Sequence, residues 1–267
     1  MKLSIPNLSD TPDLPVRHLL SIPIGAIPFD EQISLIIEWA RLRQSKMVCL
    51  ANVHMLIEAY WNEKFASILK KADLISSDGM PLVWMLKLMG VYNQDRVAGM
   101  DVFLQLCQLT PECGVSIFFL GSEPQVLKKI EEKIKLEFPK IQIAGMESLP
   151  FRPLTVAEDT DLIERINNSG AGVLLVCLGC PKQETWIAHH QDKVKAVMIG
   201  VGAVFPVYAG IHKRAPLYIR ELGLEWLYRL IQEPKRLWHR YLKTMPLFVY
   251  LAFKQLIQYY FGSVKNS

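Results

Sequence analysis

Short apolar runs alternate with amphipathic segments along most of the chain. The apolar runs predict β-strands near residues 19–24, 47–51, 74–76, 116–120, 141–144, 173–177 and 196–200. Apolar positions at helical spacing predict helices over residues 30–43, 81–89, 124–138, 160–167 and 181–190. Pro124 and Pro181 stand at two predicted helix starts, where proline is favoured. This alternation is typical of an α/β fold, with a mostly parallel sheet and helices on both faces.

The composition is that of a folded chain with a sizeable core, because 51% of the residues are hydrophobic and 21% are charged. The five cysteines are odd in number and lie mostly in apolar runs, which favours a reducing cytosol over a disulfide scaffold. Residues 1–15 are polar and interrupted by proline, so they do not predict a secretory signal. The longest candidate for a membrane span, residues 245–261, is interrupted by polar residues and Pro246. We therefore expect a cytoplasmic protein without a transmembrane helix.

The positive charge of the chain is concentrated in its last fifth. Residues 213–267 contain ten Lys or Arg and three Glu, a net charge of +7, whereas residues 1–212 carry a net charge of −3. We therefore divide the chain into an α/β core, residues 1–212, and a basic helical C-terminal appendage, residues 213–267. A concentration of like charge indicates an anionic partner for the appendage.

Aromatic residues lie among the basic residues of the appendage, as at Trp226, Tyr228, Trp238 and Tyr241. Nucleic-acid binding would explain that combination, but a largely apolar stretch, residues 246–253, follows it. An apolar surface bordered by Arg, Trp and Tyr fits the headgroup region of an anionic membrane better. The remaining alternative is an ordinary C-terminal helix that packs on the core. We favour peripheral contact with the inner face of the cytoplasmic membrane and no nucleic acid.

Polar loops follow three of the predicted strands. Asn52 follows the strand at 47–51, Asp78 follows the strand at 74–76, and residues 178–184 follow the strand at 173–177. Ligands of parallel sheets bind at the carboxyl ends of the strands, so these loops predict one shared site. Asp78 could accept a proton from an attacking hydroxyl, and the alternative is that it caps the next helix.

Other residues of these loops have both a binding interpretation and a structural one. Gln183 and Glu184 fall in a first helical turn, where backbone N–H groups favour an anion, but a polar first turn needs no ligand. Gly121 and Gly202 could let a nucleotide approach the backbone, although tight turns also require glycine. Asn52 could orient a sugar or a base, or it could form a turn.

Arg96 could bind a phosphate through its planar guanidinium group, and a surface salt bridge is the alternative. Cys177 and Cys180 form a C-x-x-C, but no second pair and no nearby histidine pair accompanies them. The sequence therefore predicts no metal site at these cysteines.

A set of short segments, in order between about residues 47 and 240, resembles the WecG/TagA/CpsF glycosyltransferases, glycosyltransferase family 26. Several ordered matches are more specific than any single one. The segments are residues 51–55 (ANVHM), 72–74 (ADL), 77–81 (SDGMP), 96–101 (RVAGMD), 119–121 (FLG), 178–179 (LG), 181–184 (PKQE), 200–202 (GVG), 214–216 (RAP), 224–230 (LEWLYRL) and 233–236 (EPKR).

The resemblance implies a Rossmann-like core with a C-terminal appendage. It also implies transfer of a sugar from a UDP donor to an undecaprenyl-diphosphate-linked saccharide, in the synthesis of bacterial surface polysaccharide or cell-wall polymer. The sugar would be N-acetylmannosamine, its uronic acid or glucose. By the same resemblance, Asp78 would be the general base, Asn52 and Gln183 would lie in the pocket, and Arg96 would face a phosphate or sugar. The diphosphates of donor or acceptor would be held by Arg229, Arg236 and Arg240.

The expected reaction is inverting and needs no metal ion or other cofactor. Many transferases neutralise the departing UDP with a metal ion held by paired aspartates, and here we expect arginines to take that part. Two positions depart from the family pattern: Leu50 stands where Thr is frequent, and Pro206 stands where Asp is frequent. Both departures leave the donor sugar open.

The alternatives come from other functional classes. A non-catalytic nucleotide-binding or membrane-scaffold protein of the same fold would keep the site and lose the reaction. An NAD-dependent enzyme is disfavoured because no G-x-G-x-x-G follows any predicted strand. The resemblance is compatible with a homo-oligomer, although no apolar stripe in the sequence indicates one.

Overall fold

The computed structural model describes residues 14–261, which form an α/β fold around a six-stranded sheet. The strands are β1 (Val16–Leu19), β2 (Ile22–Gly25), β3 (Lys46–Ala51), β4 (Leu74–Ser77), β5 (Ser116–Gly121), β6 (Gln142–Glu147), β7 (Val173–Cys177) and β8 (Val197–Gly200). The helices are α1 (Phe29–Arg41), α2 (Val53–Trp61), α3 (Glu63–Leu69), α4 (Met80–Leu88), α5 (Gly99–Leu109), α6 (Pro124–Glu137), α7 (Val156–Asn168), α8 (Lys182–His190), α9 (Val204–Tyr208), α10 (Leu217–Glu221), α11 (Glu225–Gln232) and α12 (Pro234–Phe261).

The large sheet is parallel throughout and has the strand order β4-β3-β8-β7-β5-β6. All carboxyl ends of its strands therefore meet at one edge. Six of the seven predicted strands lie in this sheet, which confirms the predicted fold class. Its central strands are buried on both faces, as expected for a sheet whose crossovers are helices.

Alternate residues of the strands supply two separate cores. Met47 and Cys49 of β3 point into a core formed with α2, α3, α4, α7, α8 and α12. Val48 and Leu50 point into the opposite core, formed with α1, α5, α6 and α9. This period-2 alternation puts helices on both faces of the sheet, as predicted.

The first predicted strand, residues 19–24, is wrong. The chain instead forms an antiparallel hairpin of β1 and β2, apart from the large sheet. Leu20 and Ser21 have φ angles of 48° and 71°, and left-handed backbone at two consecutive residues suits a two-residue hairpin turn. Leu20 is not a usual turn former and Ser21 is a lone polar residue between apolar ones, so the apolar run concealed the reversal.

The described part of the appendage, residues 213–261, is helical, as predicted. Helices α10 and α11 contain no buried residue, whereas α12 packs along α2 and buries Leu237, Phe248 and Ala252. Helix α12 continues through Pro246. Its far end is held by Gln255, whose Nε2 donates to the carbonyl of His18 at 2.6 Å. Within residues 14–261, no helix has the length and apolar character that crossing a membrane requires.

Candidate active site

A cleft of about 370 Å³ lies between the carboxyl edge of the sheet and the appendage. Loops after β3, β4, β5, β7 and β8 form one wall, and residues from 212 to 240 form the other. A smaller cleft of about 120 Å³ adjoins it, between the loops after β3 and β4 and helices α11 and α12. We call them the large cleft and the small cleft. Both are bordered by Asn52, His54, Asp78, Arg96, Glu225, Arg229 and Arg240.

Asp78 stands at the junction of the two clefts, directly after β4. Its backbone N–H donates to the carbonyl of Ala51 at 2.8 Å, which ties the loop after β4 to the end of β3. The backbone N–H of Gly99 favours the ionised form of its carboxyl and so lowers its pKa. Helix α4 is capped at Gly79 without a side-chain hydrogen bond, so the alternative that Asp78 caps this helix is wrong.

The environment of Asp78 makes its carboxylate more basic than usual. Burial raises the pKa of Asp78 to about 6, and the positive charge of Arg96 opposes that rise. The negative charge of Glu225 adds to the rise in pKa, while Arg229 and the Gly99 N–H oppose it. A carboxylate with this pKa is ionised at neutral pH and is a stronger proton acceptor than an ordinary aspartate.

Asn52 combines the two interpretations that its sequence position left open. It is the N-cap of α2, and its Oδ1 accepts from the N–H of Met55 at 3.2 Å. That bond fixes the side chain at the border of both clefts. Its amide nitrogen has no hydrogen-bond partner within residues 14–261, so it can still donate to a ligand.

Gln183 joins the loops after β7 and β8. Its Oε1 accepts from the N–H of Gly179 at 3.2 Å and from the N–H of Gly202 at 3.1 Å. Its Nε2 donates to Oε1 of Glu184 at 2.7 Å. The side chain borders the large cleft, but its oxygen is fully used inside the protein. What Gln183 can still offer a ligand is one N–H.

Two of the predicted substrate-binding residues lie behind the lining of the clefts. Glu184 is fully buried, and burial raises the pKa of its carboxyl. Gly121 has a φ of 95°, and a Cβ there would stand 2.5 Å from the carbonyl oxygen of Cys177. The close approach that requires glycine at 121 is thus between β5 and β7. Gly202, in contrast, borders the large cleft.

Arg96 borders both clefts, yet all three of its guanidinium nitrogens have protein acceptors. Its Nε donates to the carbonyl of Asp78 at 2.9 Å. One terminal nitrogen forms an ion pair with Glu225, and the other lies 3.5 Å from the carbonyl of Arg220. Arg96 thus forms a salt bridge that lies in the site and joins the core to the appendage. Its contact with a phosphate or a sugar stays a prediction.

The three arginines of the predicted diphosphate clamp all border the large cleft, but they differ in how free they are. Arg229 forms no ion pair with any residue from 14 to 261. Arg240 lies against the ring of Tyr241, and its Nε is buried without a hydrogen-bond partner in the described chain. Arg236 is exposed and is paired with Glu233 at 2.7 Å. Of these three arginines, Arg229 and Arg240 are thus the better placed for an anionic ligand.

His54 is a site residue that the motif analysis did not single out. It lies in the first turn of α2, two residues after Asn52, and borders both clefts. Burial lowers the pKa of His54 to about 4, and the charge of Arg240 contributes to that lowering. The imidazole is therefore neutral at pH 7. The sequence could have indicated His54 through Asn52, which is a favoured N-cap residue. A helix capped directly after β3 has its first turn, and therefore His54, at the end of that strand.

Leu50 and Pro206, the two departures from the family pattern, both border the large cleft. Leu50 is a largely buried residue of β3, and Pro206 lies in α9. Both departures from the family pattern therefore lie at the same cleft.

The chain contains one Asp-x-Asp, Asp159-Thr160-Asp161, which the expectation of a reaction without metal did not consider. It lies in α7 and borders neither cleft. Asp159 contacts His190 at 2.9 Å, and Asp161 pairs with Arg165. Among residues 14–261, no group of three or more His, Cys, Asp or Glu side chains is placed to hold a metal ion.

Comparison with known proteins places this site in a family context. Residues 17–261 match the family model described as the glycosyl transferase WecG/TagA/CpsF family. A protein of Bacillus spizizenii is 32% identical over 255 residues, which are 91% of this chain and 96% of the relative. A protein of Bacillus subtilis is 32% identical over 210 residues, 78% of this chain and 79% of the relative. Both relatives are named N-acetylglucosaminyldiphosphoundecaprenol N-acetyl-beta-D-mannosaminyltransferase.

Proposed function

The chain belongs to the WecG/TagA/CpsF family and is a glycosyltransferase, and we propose that it transfers N-acetylmannosamine from UDP to N-acetylglucosaminyl-diphosphoundecaprenol. The names of both Bacillus relatives support this sugar and this acceptor. The uronic acid of N-acetylmannosamine and glucose are the competing donor sugars.

The observation that carries the proposal is the position of Asp78. A base for glycosyl transfer must touch the acceptor hydroxyl while the donor lies beside it. Asp78 borders two adjoining clefts, its pKa is raised to about 6, and Arg229 and Arg240 border the same space. A carboxylate with raised pKa and cations beside it match a reaction that removes a proton and releases a diphosphate.

We assign the UDP-sugar to the large cleft and the acceptor saccharide to the small cleft. The large cleft has the volume for a nucleotide, and Gly179 and Gly202, which are only partly buried, border it. The small cleft is bordered by Trp226 and Tyr241, whose rings meet edge to face at 5.8 Å. Aromatic side chains of this kind offer an apolar face to a sugar ring and a polar group to its hydroxyls.

The reaction we propose is a direct displacement. Asp78 takes the proton of the acceptor hydroxyl, the acceptor oxygen forms a bond to the anomeric carbon, and the bond from that carbon to UDP breaks. A single displacement inverts the anomeric centre. The departing UDP carries the electron pair of the broken bond, and Arg229 and Arg240 stabilise its charge. These two guanidinium groups would make a metal ion unnecessary.

The appendage is the part we propose to contact the membrane that holds the acceptor. Its exposed apolar residues lie among exposed basic ones, an arrangement suited to the headgroup region of an anionic bilayer. The exposed apolar residues include Leu217, Tyr218, Leu222, Leu227, Ile231, Trp238, Leu242, Val249, Tyr250 and Phe253. These exposed residues support our proposal that the protein lies at the inner face of the cytoplasmic membrane.

The test is UDP release by the purified protein, with a panel of UDP-sugars and a polyprenyl-diphosphate-linked N-acetylglucosamine, in the presence and absence of EDTA. We expect acceptor-dependent release with UDP-N-acetylmannosamine, unchanged by EDTA. Release with another UDP-sugar would correct the donor, and loss of release in EDTA would overturn the metal-independent mechanism. UDP binding with no release from any donor would favour the non-catalytic scaffold.

The same assay tests the membrane contact when the acceptor is supplied in vesicles. We expect faster release, and more protein bound, with anionic than with neutral vesicles of equal acceptor content. Equal rates and equal binding on the two vesicle types would contradict a membrane role for the basic appendage.

A further inference from the structure

The Arg96–Glu225 ion pair joins the core to the appendage beside Asp78. Arg96 lies in the loop between α4 and α5, and Glu225 is the first residue of α11. The side chain of Arg96 is 17% exposed and that of Glu225 is 30% exposed, so the pair is largely shielded from water. Shielding strengthens an ion pair relative to one at the surface.

Residues 95–97 are hydrogen-bonded to the end of β4 and to Asp78, which directly follows it. The N–H of Val97 donates to the carbonyl of Ser77 at 2.9 Å, and the hydroxyl of Ser77 donates to the carbonyl of Asp95 at 3.2 Å. The Nε of Arg96 then donates to the carbonyl of Asp78 itself. The guanidinium group of Arg96 therefore contacts both Glu225 and Asp78, so a displacement of Glu225 would also move Asp78.

We propose that Arg96 and Glu225 are positioning residues, which set the place and the basicity of Asp78 only when α11 is docked on the core. The inference rests on the proposed role of Asp78 as the base. It gives Arg96 a role beyond the expected contact with a phosphate or a sugar, because each guanidinium nitrogen already has a protein acceptor and only two of its five N–H groups remain for a ligand.

The titratable groups that share the clefts with Asp78 come from four parts of the chain. Arg96 approaches from the core, Glu225 and Arg229 from α11, Arg240 from α12, and the neutral imidazole of His54 from α2. Glu225 raises the pKa of Asp78, whereas Arg96 and Arg229 lower it. Removing the charge of Glu225 also leaves Arg96 without its counter-ion. Both consequences lower the pKa of Asp78.

The test is Glu225→Gln, which keeps the shape of the side chain and removes its charge. We expect the acid limb of the kcat/KM profile to move down by about half a pH unit or more, and kcat at pH 8 to fall about tenfold. Glu221→Gln is the matched control, because Glu221 is an exposed glutamate of the neighbouring α10 that borders neither cleft. An acid limb and a kcat equal to those of the wild type would overturn the inference.

Arg96→Lys gives the same test from the core side and serves if Glu225→Gln folds poorly. It keeps the positive charge but cannot make the three contacts of the guanidinium. We expect a lower kcat with a nearly unchanged KM for the UDP-sugar, because a positioning residue does not touch the donor. A raised KM with an unchanged kcat would show that Arg96 binds substrate. Asp78→Asn, assayed in parallel, separates the two proposals, since an active Asp78→Asn enzyme would contradict the base itself.

Discussion

The two walls of the active-site clefts are built in opposite ways. On the core side, loops at the ends of buried strands are joined by backbone hydrogen bonds and by the amide of Gln183. On the appendage side, α10 and α11 contain no buried residue. Ion pairs hold that wall to the core: Arg96 with Glu225, and Asp101 with Arg214 and Arg220.

This difference separates the two demands of glycosyl transfer. A general base acts only within hydrogen-bond distance of the proton it removes, so it belongs on the rigid wall. The proposed lipid-linked acceptor would enter from a membrane, on the side where α10 and α11 are held to the core by ion pairs and contain no buried residue. Helix α12, which completes this wall, packs on the core through buried residues. Asp78 stands on the first wall, and Arg229 and Arg240 stand on the second.

The largest effect is expected at the rigid wall, from Asp78→Asn. The loss of the base should lower kcat at least about a hundredfold, in line with the usual contribution of general base catalysis. In the wild type, kcat/KM should fall about tenfold per pH unit below the Asp78 pKa of about 6, because the base is then protonated. Asp30→Asn is the control, since Asp30 is exposed and borders neither cleft. An Asp78→Asn enzyme with wild-type turnover would contradict the assignment.

Thermal unfolding of Asp78→Asn distinguishes lost chemistry from lost structure. The native pKa of Asp78 lies above its ordinary value, so its favourable effect on stability is present at low pH and is lost as the pH rises through about 6. At pH 8 the wild type holds a buried charge that asparagine avoids. We therefore expect the Tm of Asp78→Asn at pH 8 to be equal to or higher than the Tm of the wild type. A clearly lower Tm would indicate a structural role for the carboxylate.

A smaller effect is expected at the charged wall, from Arg240→Gln. Loss of a charge-assisted hydrogen bond to a diphosphate should raise KM about tenfold. Arg236→Gln should have less effect, because Arg236 is exposed and paired with Glu233. Lys243→Gln, an exposed change on the same helix outside both clefts, is the control. Measuring KM for donor and acceptor separately shows which diphosphate Arg240 holds, and equal effects of all three changes would contradict a specific clamp.

The smallest effect on turnover is expected from Gly121→Ala, which strains the rigid wall without touching its chemistry. A Cβ at 121 would stand 2.5 Å from the Cys177 carbonyl, and the φ of 95° is unfavourable for alanine. We expect a loss of about 1–3 kcal/mol in the free energy of unfolding and little change in kcat per folded molecule. Gly114→Ala is the matched control, with positive φ but open space around it, and should cost less in urea unfolding. A kcat loss without a stability loss would instead place Gly121 in contact with substrate.

The sequence predicted the sheet well because its strands are continuous apolar runs that alternate with helices. The bounds of β7, Val173–Cys177, agree with the predicted strand at every residue. The hairpin was missed because Leu20 and Ser21 look like part of an apolar strand. Helices α2 and α5 were not singled out in the sequence, although the buried residues Val102, Phe103 and Leu106 of α5 recur at helical spacing.

The candidate site was predictable where its residues share a strand end, and obscure where they do not. Asn52 and Asp78 follow neighbouring strands, so spacing alone brings them together. Glu225 meets Arg96 across 129 positions of the chain, and nothing local to either residue announces the contact. The sequence could not show that the side-chain oxygen of Gln183 is used inside the protein. Its two donors are backbone N–H groups, of Gly179 and Gly202, which no side-chain type identifies.

Leu50 and Pro206 show how such a site can diversify. Both border the large cleft, yet their side chains form no hydrogen bond with Asp78, with Gln183 or with any clamp arginine. Mutations at these two positions can reshape the wall of the large cleft without replacing Asp78, Gln183 or a clamp arginine. Natural selection could thus exchange one sugar for another in a descendant of this enzyme through changes that leave the machinery of transfer inherited whole.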